Sequence, residues 1–286
     1  MLDDIDDASR LGARRLKMRS ADIPSDCAPH ASPSRVRRCC NLRYDSTMEV
    51  IPVIDLKCGQ VVHARRGLRE SYQPIQTPLA AGSEPAAVVA GLLRLAPFGR
   101  MYIADLDAIE ARGSHDGVIA SLSAAFPRIE LWVDSGASDA DAWLASRSGC
   151  LVIGSESQTD TALLRRLRGN PRIMLSLDFH GHEFQGPRAI LDDPNLWPTR
   201  VIVMTLARVG AGAGPDVDQV AAVVQRAAGR PVYAAGGVRG AADLHQLAAI
   251  GAAGALVATA LHNGTITARD IVRPDGRTIS GNGCNR

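Results

Sequence analysis

Glu49-Val50-Ile51-Pro52-Val53-Ile54-Asp55-Leu56-Lys57 reads as a strand apolar on both faces that closes on a carboxylate and an amine. A run with no polar alternation has no solvent side, which marks a strand in a parallel sheet covered by other elements. Such runs recur at 50–56, 101–104, 130–133, 150–153, 173–177, 200–204, 231–234 and 255–257, with Ala-, Leu- and Arg-rich segments of helical length between most of them. Eight β/α units within residues 48–286 match the usual size of a (β/α)8 TIM barrel, whereas an open doubly wound sheet rarely spaces eight parallel strands so evenly. The expected fold is an α/β closed barrel, and such barrels carry their chemistry at the carboxyl ends of the strands.

Those ends repeat. The first strand runs out as Ile54-Asp55-Leu56-Lys57-Cys58-Gly59 and the fifth, 123 residues later, as Leu177-Asp178-Phe179-His180-Gly181-His182, each in the order apolar, Asp, apolar, basic. The third ends Ser135-Gly136-Ala137 and the seventh Gly236-Gly237-Val238, about 100 residues on. Two homologous half-barrels account for this, and they place Asp55 and Asp178 opposite each other across the barrel mouth.

Composition narrows the function classes. With 46% hydrophobic and 22% charged residues the chain can bury a full core, and no stretch approaches the roughly 18 apolar residues of a membrane span, so no membrane role is expected. Residues 1–47 hold nine Arg or Lys against seven Asp, leaving 23 basic and 23 acidic residues afterwards. A neutral body sets up no long-range field for a polyanion, which argues against a nucleic-acid partner and makes any phosphate recognition local. The six cysteines show no metal-ligand spacing and a core of this size needs no disulfides, so a reducing cytoplasm is expected. Residues 1–47 lack any sustained period and read as a disordered or mis-called extension ahead of Met48; 48–270 form the barrel, and 271–286 a flexible tail.

The strand ends supply the chemistry. Two opposed carboxylates are the minimum for taking a proton from carbon and giving one to oxygen on a bound sugar, so Asp55 and Asp178 are the catalytic candidates; a lone strand-end Asp can also merely cap a helix. Gly236-Gly237 after the seventh strand, with Thr259 after the eighth, form a candidate phosphate cradle, the place where these barrels often hold one. Asp105 and Asp107 could bind substrate hydroxyls or structure their loop, and Lys57 could pair with a phosphate or with Asp55. His180 and His182 alternate as metal ligands can, yet lack a carboxylate or Cys partner, so neither metal nor organic cofactor is expected.

These residues resemble the histidine-biosynthesis barrel family that contains ProFAR isomerase and the cyclase subunit of imidazole-glycerol-phosphate synthase. The likeness rests on Glu49 to Lys57 with Gly59-Gln60-Val61-Val62, on Ala104-Asp105-Leu106-Asp107-Ala108, on Ser176-Leu177-Asp178, and on Ala234-Ala235-Gly236-Gly237-Val238-Arg239. It implies a ribulose-phosphate-binding barrel and an aldose-ketose isomerase of amino-acid biosynthesis. In the isomerase the first-strand Asp is general base and the fifth-strand Asp general acid in an Amadori rearrangement, roles that fall on Asp55 and Asp178. The cyclase needs a glutaminase partner and a further Lys that has no counterpart here, so no glutaminase partner is expected.

Three departures touch the substrate. The family's third strand ends in a Gly-Gly-Gly-Ile-Arg phosphate loop; this chain has Trp132-Val133-Asp134-Ser135-Gly136-Ala137-Ser138, an acid beside the expected phosphate. After Thr205, which the family pattern places at the substrate, an Asp-Gly-Thr loop is replaced by Leu206-Ala207-Arg208-Val209-Gly210-Ala211-Gly212. His63 stands where an Arg is expected, with Arg65 and Arg66 close by. Losing one cradle and keeping the other implies a phosphorylated small molecule with one phosphate, or a shorter one. The alternatives are therefore a paralogue acting on an intermediate of tetrahydromethanopterin-type one-carbon cofactors and a non-catalytic barrel that binds a phosphorylated metabolite.

Overall fold

The computed structural model describes residues 48–136 and 139–271. Eight parallel strands close into a barrel: Glu49–Lys57, Arg100–Asp105, Glu130–Asp134, Cys150–Gly154, Ile173–His180, Val201–Thr205, Val232–Ala235 and Gly254–Val257. Each pairs with the next, and the eighth returns to the first through Glu49 opposite Gly254 and Pro52 opposite Val257. All eight expected runs fall on these strands, two of them starting one residue early at Arg200 and Pro231, and the fold is the (β/α)8 barrel. Expectations for residues 1–47 and for the tail beyond 271 lie outside the described residues; Ile271 itself is buried, ending the helix Ala268–Ile271 rather than opening a tail.

Strand alternation sorts the side chains into two cores. Ile51, Tyr102, Trp132, Val152, Met174, Ile202, Tyr233 and Leu256 point inward and fill the barrel. Their neighbours in sequence, such as Ile54, Ile103, Val133, Leu151 and Leu175, pack outward against the helices. The outer helix Pro85–Leu95 shows how the layer is built: Glu84 caps it by accepting the Ala86 and Ala87 amides, Pro85 fits the first turn, and Val88, Val89 and Leu92 face the sheet. Among the described residues no helix is long and apolar enough to cross a membrane.

The half-barrel repeat is visible in the turns. After the first strand Gln60–His63 folds back antiparallel with Val62 opposite Asp55; after the fifth, Glu183–Gln185 does the same with Gln185 opposite Asp178. Each Asp thus sits at the root of a hairpin, seven residues from its partner. The amino-terminal end of the barrel is closed by an ion network. Arg100 Nη1 reaches both Glu49 carboxylate oxygens at 2.6 Å, and Glu130 Oε2 accepts from Arg100 Nε at 3.0 Å, Arg200 Nη1 at 3.2 Å and Trp132 Nε1 at 3.0 Å.

Candidate active site

A cavity of about 530 Å³ opens at the carboxyl ends of the strands, and Asp55, Asp178, Gly236, Gly237 and Thr259 all line it. Asp55 follows Ile51 and Val53 on the inward alternation of the first strand, and Asp178 follows Met174 and Ser176 on that of the fifth. Asp134 lines the same cavity. The ladder sets Asp55 beside Ala104 and Ala104 beside Asp134, so these two acids occupy one level of the barrel on alternate strands. A methyl group placed on Gly154 would meet Asp178 Oδ2 at 3.3 Å and Asp134 Oδ2 at 3.6 Å, so the strand between them carries no side chain to separate the two carboxyls.

Their surroundings differ. Burial lifts Asp55 to about 7, with the field of Arg69 pulling against it, and among the described residues no hydrogen-bond donor engages its carboxyl. Asp178 is also lifted to about 7 by burial, against a hydrogen bond from Ser176 Oγ at 2.6 Å, with the Asp134 charge adding to the rise. Its Oδ2 accepts the Glu156 amide at 3.1 Å, with Ser155 Oγ 3.2 Å away. Burial raises Asp134 to about 6, while the Gly136 amide at 3.2 Å and the Tyr102 hydroxyl at 3.1 Å donate to it. Tyr102 feels all three acids, and its own ionisation is pushed far up by burial and by their charges. Arg69 is ion-paired with Glu156, and both reach the cavity wall from short loop turns.

At the other end the chain is built for close backbone approach. Gly237 has φ +86°, and a Cβ there would lie 2.2 Å from the Gly214 carbonyl oxygen, so no other residue fits without moving backbone. Gly236 is held likewise against the Thr205 carbonyl at 2.6 Å. Thr259 Oγ1 stands 3.4 Å from His63 Nε2. Arg239, at the rim, is held by Asp243 through Nε at 2.9 Å and Nη2 at 2.7 Å.

Three residues expected at the substrate lie outside this wall. Asp105 falls on the outward alternation, beside the inward Ala104; it accepts the Ala108 amide at 3.1 Å, the His115 amide at 2.7 Å and sits 2.7 Å from His115 Nδ1. His115 Nε2 in turn accepts the Gly59 amide at 2.8 Å, and Asp107 accepts that of Cys58 at 2.9 Å, so this group anchors the first hairpin. Thr205 is buried on the outward side of the sixth strand, with Met204 in the wall in its place. Lys57 donates to the Arg69 carbonyl at 2.5 Å and so supports the loop that carries Arg69. His180 and His182 are exposed on the second hairpin, away from the cavity. Ala137 and Ser138 of the altered third loop lie outside the described residues.

The histidine biosynthesis protein family matches residues 49–192 and 195–267 of the chain. An uncharacterized protein of Methanocaldococcus jannaschii is 26% identical over 236 residues, covering 80% of this chain and 100% of that protein. A 1-(5-phosphoribosyl)-5-((5-phosphoribosylamino)methylideneamino) imidazole-4-carboxamide isomerase of Sorangium cellulosum is 28% identical over 247 residues, covering 79% of this chain and 98% of its own. Phosphoribosyl isomerase A of Streptomyces coelicolor is 26% identical over 242 residues, with 76% and 94% covered.

Proposed function

The chain belongs to the histidine biosynthesis protein family, and on that premise we propose that it is an aldose-ketose isomerase acting on a phosphorylated sugar by proton transfer between Asp55 and Asp178. The observation that carries this reading is two acids in one cavity whose carboxyls both titrate at about 7, so that one can be ionised while the other holds its proton at neutral pH. Asp178 gives its proton to the ring oxygen as the bond from that oxygen to the anomeric carbon breaks. The carboxylate it leaves behind is received by Ser176, the Glu156 amide and the nearby Ser155 hydroxyl. The lone pair of the nitrogen on the anomeric carbon closes a C=N bond as the ring opens. Asp55, with no donor on its oxygens among the described residues, is the base that takes the proton from the adjacent carbon. The resulting enaminol becomes the aminoketose as Asp55 returns its proton to the former anomeric carbon and the hydroxyl proton passes back to the Asp178 carboxylate.

Gly236, Gly237 and Thr259 hold the phosphate, and the reaction runs in the cytoplasm without a glutaminase partner or cofactor. The test is spectroscopic ProFAR turnover by the purified chain. Turnover supports the histidine reaction; stabilisation by a phosphorylated ligand without turnover of any sugar phosphate overturns the isomerase reading in favour of a binding role.

A second reading, a substrate with a single phosphate, is favoured by Asp134. Its carboxylate occupies the strand end that would approach a second phosphate, and like charges at close range in a cavity of low dielectric repel strongly. An intermediate of tetrahydromethanopterin-type one-carbon cofactors is one such substrate.

A further inference from the structure

Where the loops after the first and eighth strands meet, His63, Thr259 and His262 line the cavity together. Thr259 and His262 stand three residues apart on one short helical turn and so share a face. His262 is 7% exposed, and its Nδ1 lies 3.1 Å from Thr77 Oγ1. That hydroxyl oxygen also accepts the Leu79 amide at 3.2 Å, and its own hydrogen can be given to Nδ1. A neutral imidazole that accepts at Nδ1 carries its proton on Nε2. The ring is neutral because burial, and then the neighbouring His63, push its pKa down to about 4. In that tautomer Nε2 is an N–H donor, and this atom is buried with no partner among the described residues.

A buried donor without an acceptor is a standing desolvation cost, and a cavity wall is where a ligand oxygen can remove it. Of the two arginines that line the cavity, Arg239 is engaged by Asp243 and Arg69 by Glu156. The wall at this end offers uncharged donors. We infer that His262 donates its Nε2 hydrogen to an oxygen of the substrate's phosphate ester, completing the cradle of Gly236, Gly237 and Thr259. The inference rests on the phosphate placement proposed above. Neither the family likeness nor the strand-end pattern singles out His262, whose partners Thr77 and His63 lie far off in sequence.

Calorimetric titration of the full chain with ribose 5-phosphate, and with ribose as the unphosphorylated control, tests it. His262→Asn keeps a polar atom for Thr77 but loses the reach of Nε2, and His262→Gln restores a donor at that distance. The native chain is expected to prefer ribose 5-phosphate over ribose. His262→Asn loses that affinity by about tenfold and His262→Gln keeps it within about threefold, with ribose affinity unchanged in both. Unchanged affinity in folded His262→Asn, or equal losses in the two variants, overturns the donor assignment and leaves the phosphate placement standing. A native chain that does not distinguish ribose 5-phosphate from ribose overturns both.

Discussion

Carboxylates point into this barrel at both ends, and the two ends treat them differently. At the amino-terminal end Glu130 is partly buried, which alone would raise it. The Trp132 indole, then Arg200, Cys150 and Arg100, outweigh that and hold it near 2. Glu49, more deeply buried, is still pushed up against the pull of Arg100. Two glutamates and two arginines balance there, with both guanidinium groups lying over Trp132 at 5.7 and 5.4 Å. At the mouth Arg69, already paired with Glu156, pulls on Asp55 and Asp134, Asp178 is held by Ser176 and the Glu156 amide, and all three acids titrate between about 6 and about 7. The same residue class is thus a closure at one end and a store of exchangeable protons at the other, and what separates them is depth of burial set against charged partners.

The mouth should break first in activity. Asp55→Asn or Asp178→Asn is expected to lower turnover by about 10² to 10⁴ while leaving the circular dichroism spectrum native, since general acid or base catalysis supplies factors of that size. Near-native rates in either variant sink the two-acid reading. The closed end should break in stability instead. Arg100→Met strips Glu49 and Glu130 of their shared partner and is expected to cost about 3 kcal/mol in urea unfolding, with turnover per folded molecule unchanged.

The barrel and the mouth half of this contrast could be read in the chain; the ion network of the closed end could not. The eight apolar runs, and the repeat that sets Asp55 and Asp178 on matching strands, needed only alternation and spacing, and the Gly236-Gly237 pair announced a backbone approach. Facing was harder. In strands buried on both sides the inward and outward residues are equally apolar, so nothing in Tyr102-Ile103-Ala104-Asp105 says that Asp105 turns outward and Ala104 inward. Thr205 and Met204 pose the same difficulty. Asp134 was visible as a departure from a phosphate loop, but not as a third acid beside Tyr102. Arg69 and Glu156 sit on loop turns without periodicity, and His262 gains meaning only from Thr77, 185 residues away.

The comparison sharpens in its pH dependence. Asp55 has its folded pKa raised to about 7 from the ordinary 3.8, so the native state binds the extra proton between those values. Its contribution to stability is whole below about 4 and lost as pH rises through 7. Asp55→Asn should therefore match the native chain at pH 4 and exceed it at pH 8 by on the order of 2 kcal/mol. Glu130, held near 2, contributes stability that is present above its ordinary 4.5 and lost only as pH falls through 2. Glu130→Gln should then destabilise equally at pH 5 and pH 8. Thermal unfolding of both variants across that range checks the pair, and parallel curves refute the contrast.

The smallest expected effect addresses what the mouth selects. If Asp134 turns away a second phosphate, the native chain at pH 8 should bind ribulose 5-phosphate more tightly than ribulose 1,5-bisphosphate. Asp134→Asn, which keeps the shape but removes the charge, should raise bisphosphate affinity by about tenfold and leave the monophosphate almost unaffected. Bringing the native chain to pH 5, below the value of about 6 to which burial lifts Asp134, should narrow the same gap without any substitution. The acid would then act on the substrate's charge rather than on its reaction. A native chain that already prefers the bisphosphate, with no change in Asp134→Asn, returns Asp134 to the proton network with Tyr102 and leaves the two-phosphate histidine intermediate as the better-fitting substrate.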